Sequence, residues 1–151
     1  VTSTSNESSD VVALVLDGLA AGRGLDELLR DVGAFHRKHS TFPAEVLLEL
    51  AADAFSAARV DRTNRLQLDG LAERVLPDWP ATGNVAHQKR RHCLHAAVLL
   101  SAGVDPEDTS WWRVDDLWVH AFHSLVVFTR AAAERRGVTV TEICHELRGA
   151  G

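Results

Sequence analysis

Methionine and tyrosine are absent from this 151-residue chain, and lysine is nearly so, Lys38 and Lys89 being the only two among 16 basic residues. Two cysteines, Cys93 and Cys144, are too few for a disulfide framework, so a fold stapled by cross-links is excluded. There is no Gly-x-Ser-x-Gly, no Cys-x-x-Cys and no phosphate-cradling glycine loop, which removes the common nucleophile and nucleotide signatures. No apolar stretch approaches the ~18 uninterrupted residues of a membrane span. The first apolar run, 11–16, follows a Ser/Thr-rich segment containing Glu7 and Asp10, not a basic one, so no secretory leader is expected. The cytoplasm is the expected location. A net charge of −5 argues against coating nucleic acid or anionic lipid through general positive charge.

What remains is ordinary for a globular domain: 46% hydrophobic and 25% charged residues. A chain this long buries ~68–70% of its unfolded surface, enough for one unaided core. Charge is uneven, with 8 basic and 13 acidic groups in residues 1–80 against 8 of each in residues 81–151. Six of the eight histidines lie in that neutral second half.

Every periodic segment reads as helix and none as strand, so the expected fold is a single-domain, all-α bundle of about seven helices without a sheet. Residues 1–9, rich in Ser and Thr, are expected to form a disordered tail, and 10–151 the domain. Asp10 suits the cap of a helix over 11–21, closed by Gly22. Leu25, Leu28, Leu29, Val32 and Phe35 form one apolar stripe on a second helix over 25–39. Pro43 opens a third, ending near 60, with Leu47, Leu50, Ala54 and Ala58 inward and Glu45, Glu49 and Asp53 outward. A shorter helix over 65–76 meets the breaker cluster 77–83, a candidate sub-domain boundary. Helices over 84–102, closed by Gly103, and from the Ser110 cap to Arg136, closed by Gly137, follow. Thr139-Val140-Thr141-Glu142 has the Thr-x-x-Glu spacing of a capping box for a last helix reaching about 148. That C-terminal stretch resembles the entry of a helix-turn-helix, but no recognition helix follows it within these residues and the charge is wrong for DNA, so nucleic acid is not an expected partner.

The chemistry-bearing feature is His-x-x-His, present as His36/His39, His92/His95 and His120/His123. Residues three apart share a helix face, so each pair could hold one ion. If the fifth and sixth helices double back about the 105–108 turn, the second and third pairs lie level. Asp116, His120 and His123 share a face and add a carboxylate, a donor set that suits zinc, iron, nickel or copper. The competing account is that these rings are the narrow polar face of two buried helices, bonded to carbonyls. No cofactor is expected on that account; a transition metal is the alternative. His36 and His39 sit beside Arg37 and Lys38 at a helix end, where cations suit the dipole. Glu142-x-x-His145 has di-iron spacing but no second motif to match it.

Lys89, Arg90 and Arg91 form the one basic cluster, a candidate docking point for an acidic partner. Trp111 and Trp118 share a face with Phe122 and Leu125 and read as core, whereas Trp79 and Trp112 are candidates for covering a partner or ligand. The readings carried forward are therefore a protein–protein interaction or scaffold module, self-associating or binding another protein; a metal-dependent protein built on the histidine hairpin; and a binder of apolar small ligands. Whether the chain is an enzyme is left open by its letters.

Overall fold

The structure, a computed structural model, describes residues 2–38, 43–58, 65–77, 84–104 and 117–150. Seven helices account for them: α1 (Thr2–Ala20), α2 (Leu25–Lys38), α3 (Pro43–Ala58), α4 (Arg65–Val75), α5 (Asn84–Ser101), α6 (Leu117–Arg136) and α7 (Val140–Ala150). Among the described residues there is no strand, and the fold is all-α. No described helix is long and apolar enough to cross a membrane.

Local chemistry sets the helix ends. After α1, α5 and α6 the same closure recurs: Gly22, Gly103 and Gly137 carry φ of 74°, 75° and 66°. The residue after each glycine bonds back five positions, as in Arg23 N–H to Gly18 O (3.0 Å), Val104 N–H to Leu99 O (2.9 Å) and Val138 N–H to Ala133 O (3.0 Å). This left-handed closure satisfies carbonyls that the helix leaves over, and a Cβ would strain it. The capping box of α7 forms as its spacing predicts: Glu142 N–H donates to Thr139 Oγ1 at 3.1 Å and Thr139 N–H to Glu142 Oε2 at 3.4 Å.

One boundary departs from expectation. α1 begins at Thr2, not after Asp10, so the first residues continue a helix where a disordered tail is expected from composition. Ser, Thr and Asn cost only ~0.5 kcal/mol each relative to Ala, and a helix already nucleated by the 11–19 segment propagates through them. The 105–116 segment, with the Ser110 cap and the 105–108 turn, lies outside the described residues, as does most of the 77–83 cluster.

α6 is the axis of the bundle. Fourteen of its 20 residues are buried, and it packs against α3, α4, α5 and α7, most extensively against α3. The α3 face is built for close approach: Ala51, Ala54 and Ala58 alternate with Leu47, Leu48 and Leu50, all buried. Phe55 of α3 meets Phe128 of α6 edge to face at 5.1 Å between ring centroids. Glu45, Glu49 and Asp53 face outward as their spacing predicts.

The outer helices are tied to this pair by polar contacts at their ends. Arg130 of α6 donates to Val75 O at the close of α4 (2.9 Å). Thr141 of α7 donates to Ala20 O at the close of α1 (2.8 Å), and Arg148 pairs with Asp17 at 3.1 Å. α2 is held differently. Its principal neighbour is α1, and Leu28 seats directly over Gly18, where any Cβ would collide with the leucine methyls.

Candidate functional site

The described histidine side chains belong to the helices predicted for them, and that of His123 is spent locally. On α6, His120 and His123 are both buried. His123 Nδ1–H donates to Val119 O in its own helix (2.7 Å), Ser124 Oγ donates to His120 O (2.9 Å) and Thr129 Oγ1 to Val126 O (2.9 Å). The His123, Ser124 and Thr129 side chains thus turn back on carbonyls three or four residues earlier, the usual way to keep such groups satisfied in a core helix. Burial lowers the proton affinity of His123; its bond to Val119 and the charge of Asp26 on α2 oppose that shift without cancelling it.

His92 and His95 are half-buried on α5, which does pack against α6. A shared metal site needs ring nitrogens converging to ~2.0–2.1 Å from one ion. Among the described residues no three His, Cys, Asp or Glu side chains group closely enough to hold one. Asp116 and His39 lie outside the described residues, as do Trp79, Trp111 and Trp112; His36 is placed only by its helix, α2.

The basic cluster is divided by the fold. Arg91 is exposed and Lys89 half-buried, but Arg90 is only 5% exposed and reaches Glu73 of α4 at 3.7 Å. Helical residues diverge by ~100° each, so three consecutive cations cannot share a surface, and the apolar α4–α5 contact takes the middle one. Arg90 therefore corrects the expected surface cluster: it supports the α4–α5 junction. The cysteines are buried free thiols, as expected. Burial, with a smaller effect from Asp17, pushes the Cys144 thiol up to about 11, which leaves it inert at neutral pH.

The concave feature lies elsewhere. A groove of about 430 Å³ is lined by Asp26, Leu29, Arg30 and Gly33 of α2 and by Trp118 of α6. Trp118 is half-buried, not sealed in the core stripe that its spacing with Phe122 and Leu125 suggests. On α2 the four lining residues follow the i, i+3, i+4, i+7 pattern of one helix face. That face adjoins the apolar stripe, of which Leu28 and Val32 are buried and Leu25, Leu29 and Phe35 only half-buried. On the opposite side of α2, Arg23 bridges Glu27 and Asp31 at 2.7 Å each. Those two carboxylates share one cation, and they hold the Arg23 guanidinium above its ordinary pKa.

None of the described histidines lines this groove. The signal available in the letters was the second stripe on α2, in which a carboxylate, a leucine, a guanidinium and a glycine recur at helical spacing beside the apolar one. No family model, no curated protein and no solved structure matches this chain.

Proposed function

We propose that the chain is a helical protein–protein interaction or scaffold module with no reaction of its own. The observation that carries this reading is the groove between α2 and the start of α6. It joins an indole, a leucine and a charged rim on a face that is open among the described residues. Half-buried aromatic anchors beside charges of both signs are the composition of recognition surfaces. His123, Ser124 and Thr129 in the buried stretch of α6, by contrast, are engaged with their own helix.

A photo-crosslinking residue substituted for Arg30 tests this directly. Expressed in its native host, the variant is expected to yield protein adducts that disappear on adding Leu29→Glu. Absence of any protein adduct, with a transition metal present at one equivalent in the untagged purified chain, would replace this reading with the metal-dependent one.

A further inference from the structure

The groove carries two charges that the described residues do not answer. Asp26 and Arg30 stand one helical turn apart on its rim, and neither enters an ion pair among the described residues, whereas neighbouring Glu27 and Asp31 share Arg23. Asp26 does act on the buried His123, but burial keeps that imidazole neutral at pH 7, so it supplies no countercharge.

The order of groups along this face is self-complementary. Two α2 helices laid antiparallel across a two-fold axis, centred midway between positions 26 and 30, bring Asp26 of each level with Arg30 of the other. The offset along the helix is ~6 Å, four residues at 1.5 Å, so both ion pairs form in one register. Leu29 then falls beside the axis. An acidic partner would answer only Arg30 and a basic partner only Asp26. A second copy of this chain answers both.

We propose that the α2 groove is a homodimer interface, in which two copies pair antiparallel through reciprocal Asp26–Arg30 contacts around Leu29 and Trp118. This rests on the interaction-module reading and names its partner. Two faces of this length bury on the order of 1,000 Å² in total, the lower limit for a specific interface, so the dimer is weak and reversible. Its charge pairs set register and partner choice more than affinity.

Sedimentation velocity from micromolar to near-millimolar concentration tests it, using Asp26→Arg, Arg30→Asp and the double exchange. The wild type is expected to shift from monomer to dimer as concentration rises. Each single exchange sets like charges opposite one another and weakens association by about tenfold or more, equivalent to ~1.4 kcal/mol. The double exchange restores the pairing and returns the dissociation constant to near the wild-type value. Both exchanged positions are exposed on the rim, and circular dichroism verifies that each variant is folded. A wild type that stays monomeric throughout, or a double exchange no better than the singles, overturns the homodimer. A monomeric chain that still gives adducts with other proteins in the crosslinking experiment leaves the module reading standing, whereas loss of both ends it.

Discussion

α6 and α2 are opposite answers to the same problem of burying apolar surface. Residues 120–129 of α6 are all buried, and there His123, Ser124 and Thr129 bond their own backbone. α2 separates its faces sharply, buries Leu28 and Val32, and leaves Leu29 at a groove edge between charges without ion-pair partners among the described residues. The difference teaches where to look for function in this molecule: chemistry-bearing residue types accumulate on α6, but availability lies on α2. Side chains are committed where packing is complete and free to recognise something where it stops.

The largest expected effect is the contrast in what truncation costs on the two helices. Phe122 is fully buried, and Phe122→Ala should destabilise the fold by about 3–5 kcal/mol. Leu29→Ala, at the half-open groove edge, should cost about 1 kcal/mol or less, since far less of its surface is removed from water. Urea unfolding followed by tryptophan fluorescence measures both. Equal losses would erase the distinction drawn between the helices.

Next comes the seam by which α2 is attached. Gly18→Ala gains helix propensity on α1 but drives a methyl into the buried Leu28. Overpacking costs of ~1–3 kcal/mol exceed the ~1 kcal/mol that alanine gains over glycine, so a net loss is expected. In a double-mutant cycle with Leu28→Ala, the Gly18→Ala penalty should vanish. A penalty that persists would place the strain elsewhere.

Titration sharpens the comparison further. Because burial holds His123 below its unfolded value of 6.5, the unfolded chain binds more protons just under that pH. The stabilising contribution of the neutral ring is therefore complete above pH 6.5 and is lost as pH falls toward the folded pKa. His123→Gln should flatten the stability–pH slope below 6.5 relative to wild type, by at most ~1.4 kcal/mol per pH unit, the limit for one proton. Parallel slopes for the two proteins would show that the buried ring titrates normally. The smallest effect belongs at the far end: Thr139→Ala removes one hydrogen bond of the α7 capping box and should cost about 1 kcal/mol, read from the urea midpoint.

The architecture was legible in the letters because helix-forming signals are local. The stripe Leu25, Leu28, Leu29, Val32, Phe35, the three closing glycines and the Thr139–Glu142 box all act within a few residues of themselves. The start of α1 was not legible: composition speaks for residues 2–9 in isolation, whereas the helix propagates into them from a nucleus beyond. The candidate site was obscured for a different reason. Sequence spacing places His92, His95, His120 and His123 at fixed heights along α5 and α6 but leaves their azimuth undetermined, and the dominant partner of α6 proved to be α3. Likewise, nothing local distinguishes Arg90, drawn under α4, from Arg91 in solvent. The groove arises from where α2 stops covering Trp118, a tertiary fact that no window of sequence contains.

Amide hydrogen exchange, followed by mass spectrometry at low and high protein concentration, tests the central contrast most directly. The account predicts that α6 amides exchange slowest and at a rate indifferent to concentration, because only global opening releases them. Amides across 26–33 should exchange much faster in the dilute sample and slow markedly in the concentrated one. Protection of α2 equal to that of α6 at every concentration would contradict it.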